Sequence, residues 1–187
     1  MITFRLIADS ELPMYATYMK RRSSESLNLY FGYAVSDYVI DTLLVNVVRS
    51  PHLHSIIVAE NANNDIVGLV HIAHMRDDAV EFGVMVTEEY RGKGIASGMM
   101  DYAMTWSRNR GFRDLYMHCL SHNAPIKHLV QKHGLAISRD GTESDARVTL
   151  PLTDIFSVSH EIILRQQNAV NKSVNSTIQS FRRALAL

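Results

Sequence analysis

Three β-rich runs, residues 55–60, 66–74 and 79–86, follow one another in the middle of the chain with turn chemistry between them. Asn61-Ala62-Asn63-Asn64-Asp65 joins the first two, and such residues bond their own backbone and tolerate turn conformations, so these runs form a hairpin. Residues 75–78 turn the chain again into the third run. A helix follows with Ile95, Met99, Tyr102, Ala103 and Trp106 on one face, closed by Gly111, and then a further strand over 114–120. An antiparallel meander followed by one β-α-β crossover predicts an α/β (α+β mixed) fold. Its sheet is mixed and mostly antiparallel, with six to seven strands and helices on both faces.

The flanking segments complete the order β-α-α-β-β-β-α-β-α-β-β. The chain starts with a strand over 2–7 and a helix from Asp9-Ser10-Glu11 to Arg21, followed by a break at 23–25. Tyr38, Ile40, Leu43, Leu44, Val47 and Val48 recur at helical spacing until Pro51. A short helix over 124–133 stops at Gly134, and the last strands are expected at 135–138 and 147–150. This places one domain in residues 1–151. Residues 152–187 form a helical extension with a stripe of Val170, Val174, Ile178, Phe181 and Leu185, expected to pack on the domain or on a partner. A homodimer through that helix is one such arrangement.

Composition excludes several classes. The formal charge of +0, from 19 basic and 19 acidic residues, gives no bulk field for nucleic acid or an anionic membrane. No apolar run reaches the ~18 residues of a membrane span. Cys119 is the only cysteine, so no intramolecular disulfide can form; a core thiol in a cytoplasmic protein is expected. The nine histidines do not suggest a metal site. His71 and His74 fall on opposite faces of a strand, His128 and His133 are poorly aligned on a helix, and His118, Cys119 and His122 straddle a strand end.

The candidate site begins at Arg91-Gly92-Lys93-Gly94-Ile95-Ala96, between an apolar strand and the amphipathic helix. Glycines there let backbone N–H groups converge on an anion, the helix start adds its unpaired N–H groups, and Arg91 and Lys93 add charge. A P-loop would need Lys then Ser or Thr after the last glycine, where Ile95 stands. A dinucleotide fingerprint would need a glycine where Ser97 stands.

Arg91-x-x-Gly94-x-Ala96, after an apolar strand ending in Val86, is similar to the acyl-CoA motif of the GNAT acetyltransferases. Asn123 with a following helix that carries Leu129, Lys132 and Gly134, then Leu135, resembles the second signature of that family. Val80-Glu81-Phe82-Gly83-Val84-Met85-Val86 resembles the corresponding strand of bacterial domains of the Pat type of protein lysine acetyltransferase, where an acid occupies the place of Glu81. Residues 24–31 loosely resemble the early helical region of those domains, and the likeness extends over roughly residues 2–150.

The resemblance implies an acetyl-CoA-dependent N-acetyltransferase. Strands 79–86 and 114–120 would splay, with Val84, Met85 and Val86 pairing with the pantetheine arm. Amides of Arg91, Gly92, Lys93, Gly94, Ile95, Ala96 and Ser97 would hold the pyrophosphate, and Asn123 the far side of the arm. Period-2 alternation puts Glu81, Gly83 and Met85 on one face of the strand. An alkyl amine is neutral in only about one molecule in 2,500 at neutral pH, so attack on a thioester needs a base. Glu81 is the expected general base, buried enough to act near neutral pH, directly or through one water. A strand N–H near residues 82–84 would stabilise the developing oxyanion. The acceptor would be a primary amine on a small molecule, a protein lysine or an N-terminus. Val130 stands where many of these enzymes carry a proton-donating Tyr, which leaves open an acyl-CoA-binding sensor that acts through the C-terminal helix.

Overall fold

In a computed structural model, which describes residues 1–75 and 78–185, the meander consists of β2 (His54–Glu60), β3 (Ile66–His74) and β4 (Ala79–Val86), paired antiparallel in chain order. The strands β1 (Thr3–Leu6), β5 (Asp114–Leu120), β6 (Ala136–Asp140) and β7 (Glu143–Thr149) complete a seven-stranded sheet of order β1-β2-β3-β4-β5-β7-β6. Among the described residues only β4 and β5 are parallel neighbours. The crossover between them is α4 (Ile95–Arg108).

Strand alternation divides the interior between two faces. Leu69 and Met85 point toward α1 (Leu12–Lys20), α2 (Ser24–Phe31) and α3 (Asp37–Arg49), where they join Tyr15, Met19, Ile40 and Val47. Val70, Phe82 and Leu115 point to the other face, against Met99, Met100 and Trp106 of α4 and Leu129 and Val130 of α5 (Ala124–Lys132). Met99 and Met100 are fully buried, each contributing about 1.5–3 kcal/mol of burial. Of the helical face expected on α3, Ile40 and Val47 are buried, whereas Tyr38 and Val48 are exposed.

The break expected at 23–25 is instead the start of α2, so the chain carries one more early helix than the sequence order gave. Ser23 caps it, its hydroxyl accepting the Ser26 N–H at 3.2 Å, and Gly32 ends it at φ 80°. This cap holds α2 over the end of β4.

The last helix, α6 (Ile155–Leu185), lies along α4 and β1. Its inward face is polar: Asn168 accepts from the Phe4 N–H at 2.8 Å, Asn175 donates to the Met1 carbonyl at 3.1 Å, and Glu161 takes Asn109 at 2.8 Å and Arg110 at 3.2 Å. Of its apolar residues, Leu164 packs against the core, whereas Ile155, Phe156, Ile162, Ile163, Val170, Val174 and Ile178 are exposed. Phe181 and Leu185 of the predicted stripe lie outside the described side chains.

Candidate active site

The pairing of β4 with β5 covers only Ala79↔Asp114, Val80↔Leu115 and Glu81↔Tyr116. Beyond that point β4 stays bound to β3 as far as Val86, and β5 stays bound to β7 as far as Leu120. The inner edges of Phe82–Val86 and Met117–Leu120 therefore diverge without a partner strand. An interior strand edge needs its hydrogen bonds met. A bound extended chain can meet them here.

The opening leads into a cleft of about 540 Å³. Val84, Met85 and Val86 form its floor, and Arg91, Gly92, Gly94, Ile95, Ala96 and Ser97 form one end. Asn123, Pro125, Ile126, Leu129 and Lys132 line one wall, and Ser26, Leu29 and Tyr30 of α2 the other. The structure thus brings together the predicted donor-site residues, Lys93 excepted.

Gly92 and Gly94 have φ 72° and 76°, the left-handed region that a side chain disfavours. Gly94 is the N-cap of α4 and provides no side-chain cap, so the first-turn N–H groups of that helix face the cleft end uncapped. This suits a phosphate.

The charges are arranged differently from the sequence expectation. Lys93 turns away, donating to the Glu89 carbonyl at 2.8 Å and lying over the Tyr90 ring. Lys132 takes its place at the cleft, its Nζ donating to Ser97 Oγ at 2.9 Å. Ser97 also meets His133 Nε2 at 3.0 Å, while His133 Nδ1 lies 3.3 Å from Asp101. Burial lowers the His133 pKa, and Asp101 opposes that shift. Arg91 is folded back, donating to the Val86 carbonyl at 3.2 Å and to Ser26 Oγ at 2.7 Å.

Ser26 ties α2 to the loop after β4. Its hydroxyl and that of Ser23 donate to Glu88, and Arg22 pairs with the same carboxylate at 3.1 Å. Burial opposes ionisation of Glu88, but these hydrogen bonds outweigh it and hold its pKa down at about 2. On the other wall Asn123 is buried, its Oδ1 capping α5 at the Ile126 N–H at 3.3 Å and its Nδ2 directed at the Leu29 carbonyl of α2 at 3.5 Å.

Glu81 stands at the last paired position before the splay. Its side chain is 40% exposed, which corrects the expectation of burial. His118 Nε2 lies 3.9 Å from it, and His118 Nδ1 bonds Asp145, its register partner on β7. Val130 is fully buried in the core. Tyr30 and Asp145 were not singled out from the sequence, and His118 was weighed there only as a metal ligand; the placement of α2 and the β5–β7 register brings them here.

Among the described residues no cluster of His, Cys, Asp or Glu could hold a metal ion, and no helix is long and apolar enough to cross a membrane.

The family model for the Acetyltransferase (GNAT) family matches residues 16–135. No curated protein sequence matches the chain. Among solved structures, the GNAT domain of S. lividans PAT superposes with TM-score 0.67 at 16% identity, covering 79% of this chain and 89% of that one. A spermidine N-acetyltransferase from Vibrio cholerae, in complex with CoA and spermine, gives 0.63 at 17% identity, covering 80% and 95%. A PaiA N-acetyltransferase from Thermoplasma acidophilum, in complex with coenzyme A, gives 0.63 at 16%, covering 80% and 99%. At these identities the solved structures establish the fold, while the matched model covers most of the chain and both signature segments; the chain belongs to the GNAT acetyltransferase family.

Proposed function

We propose that this protein transfers the acetyl group of acetyl-CoA to a primary amine, with Glu81 as general base. The observation that carries the reading is the splay of β4 from β5 immediately past Glu81, opening onto the uncapped start of α4. The residues present suit the donor. The N–H groups that follow Gly92 and Gly94, with Lys132, suit its pyrophosphate; the strand edge of Val84, Met85 and Val86, which β5 leaves unpaired and where Arg91 holds the Val86 carbonyl, suits its extended arm; Asn123 closes the far wall. When bound, the donor supplies an activated acetyl carbon. Glu81 then takes a proton from the acceptor nitrogen, directly or through a water, and strand N–H groups near Gly83 stabilise the developing oxyanion. Half-exposure of Glu81 allows the proton to pass on to solvent or to His118.

The acceptor is a small-molecule amine, a protein lysine or an N-terminus. A spermidine acetyltransferase among the structural neighbours, and the likeness of the Glu81 strand to Pat-type protein lysine acetyltransferases, make polyamines and lysine peptides the first acceptors to assay. Glu81→Gln is expected to lower turnover at least 100-fold while acetyl-CoA affinity is kept; unchanged turnover sinks the role. Buried Val130 favours the rival reading of a weakly catalytic acyl-CoA sensor. Thermal stabilisation by acetyl-CoA without acceptor-dependent thiol release selects that rival. A cytoplasmic location accords with either reading.

We also propose that α6 pairs with a second copy of this chain. Its outward side chains include Phe156 at 80% and Ile163 at 49% exposure, with Ile162, Val170, Val174 and Ile178 also exposed, a row of large apolar groups that a partner helix would cover. Sedimentation should show a dimer that Ile163→Asp converts to monomer. A monomeric wild type at 100 times the assay concentration refutes this.

A further inference from the structure

We propose that Tyr30 donates the proton that the leaving thiol needs, a role that rests on the acetyl-transfer reading above. Val130 is fully buried and offers no proton, so the donor is one of the residues that line the cleft. The phenol of Tyr30, carried by α2, lines that cleft beside Val84 and Met85. Its position is set by Gly83. A Cβ built at Gly83 would lie 2.5 Å from Tyr30 Oη and 2.8 Å from Cζ, so the phenol oxygen occupies the space where any other residue would place its side chain. It therefore rests on the main chain of β4 two residues past Glu81, where pairing with β5 has ceased. Alternation puts Glu81 and Gly83 on one strand face, so the carboxylate and the phenol share the same side of the opening.

Burial, the neighbouring phenol of Tyr15 and the charge of Glu81 all favour the protonated form of Tyr30, which keeps a proton available to donate. The serine–Glu88 anchor and the contact of Asn123 with the Leu29 carbonyl fix α2 at both walls of the cleft, and thus fix the phenol.

The steps balance. The acceptor nitrogen bonds to the acetyl carbon as Glu81 takes its proton. The carbon–sulfur bond breaks, and the sulfur takes the Tyr30 proton. The phenolate then recovers a proton from the Glu81 carboxyl, so both residues end as they began, and amine plus thioester have become amide plus thiol.

The test uses the full chain with hydroxylamine as acceptor, which is unprotonated at neutral pH and does not require Glu81. Tyr30→Phe should lower thiol release from acetyl-CoA about 100-fold or more, with acetyl-CoA affinity unchanged. With the selenoester analogue of acetyl-CoA, whose selenolate leaves without a proton, variant and wild type should turn over equally. A readout without turnover is the NMR resonance of Tyr30 Cζ, which should move on adding CoA and stay in place with the analogue lacking sulfur. Wild-type turnover in Tyr30→Phe, or equal losses with thioester and selenoester, overturns the proposal. If Glu81→Gln keeps full turnover with amines while Tyr30→Phe loses it, the base assignment fails and the proton donor stands.

Discussion

Replacing Gly94 by alanine separates the work of the glycine turn from its contribution to stability. The residue sits at φ 76° as the N-cap of α4, and nothing lies within 4 Å of where its Cβ would be. The cost is therefore torsional, about 1–2 kcal/mol for a non-glycine residue in the left-handed region. At ~2–4 °C per kcal/mol for a chain of this size, the melting temperature should fall by about 2–8 °C. Gly111 is the matched control: it has φ 86° and equally open surroundings, but lies beyond the other end of α4. Gly111→Ala should show the same thermal loss. The two part in ligand binding. If Gly94→Ala relieves strain by rotating the turn, the N–H groups at the helix start leave their common focus. Charge-assisted hydrogen bonds are worth about 1.5–3 kcal/mol each, so losing one weakens acetyl-CoA binding about 10–100-fold. Calorimetric titration of both variants with CoA and acetyl-CoA decides the matter. Equal affinities in Gly94→Ala and Gly111→Ala would refute the assignment of these amides to the phosphates.

Lys132→Ala should weaken acetyl-CoA binding about 5–10-fold at low salt and less at high salt, whereas Lys93→Ala should leave it within twofold, as titrations across ionic strengths would show. The Glu88 pKa is depressed from 4.5 to about 2 on folding, so its ionised form stabilises the native state above pH 4.5, and that contribution is lost as pH falls from 4.5 toward 2. Its side chain is 35% exposed, so screening reduces the effect to about 1 kcal/mol, and Glu88→Gln should flatten the fall of melting temperature across that window by this amount. Asn123→Ala removes the cap of α5 and should cost about 1 kcal/mol by chemical denaturation.

Where local chemistry decides the backbone, the sequence was readable. The bounds of β4 and α4 follow from alternation and from a helical stripe whose members Ile95, Met99, Tyr102, Ala103 and Trp106 are all buried. Gly94 was readable because the turn into α4 requires a residue at ease at φ 76°, and Asn123 through its family signature; that Asn123 also caps α5 is seen only in the structure. Other features depend on three-dimensional placement. Lys93 adjoins the glycines in the chain, yet its side chain is drawn to the Glu89 carbonyl and the Tyr90 ring; Lys132 arrives at the same end from another helix. Burial was expected of Glu81 because a carboxylate must be shielded from water to act as a base near neutral pH. The loss of its neighbour strand just past that position leaves it half-exposed. The helix α2 was missed by periodicity, though residues 24–31 resemble an early helical region of the family, because only Ser26 and Leu27 of its residues are buried and its apolar pattern is faint.

That faint helix spans the two halves of the site. On one side, Ser23 and Ser26 hold Glu88 at the end of β4; on the other, the Leu29 carbonyl meets Asn123 at the end of β5. Beyond Glu81 the two strands have no hydrogen bonds to each other, so α2 is a physical link across their divergence. A helix that covers a gap in this way sets how wide the gap stands. Cutting its anchor with Ser26→Ala should then reach both walls: Glu88 loses a donor that keeps it ionised, and Arg91 loses the hydroxyl that holds it folded back. Hydrogen exchange should rise along α2 and at the start of α5 together, with global stability falling only about 1 kcal/mol. Faster exchange confined to α2 alone would mean that the two strands hold their separation without it.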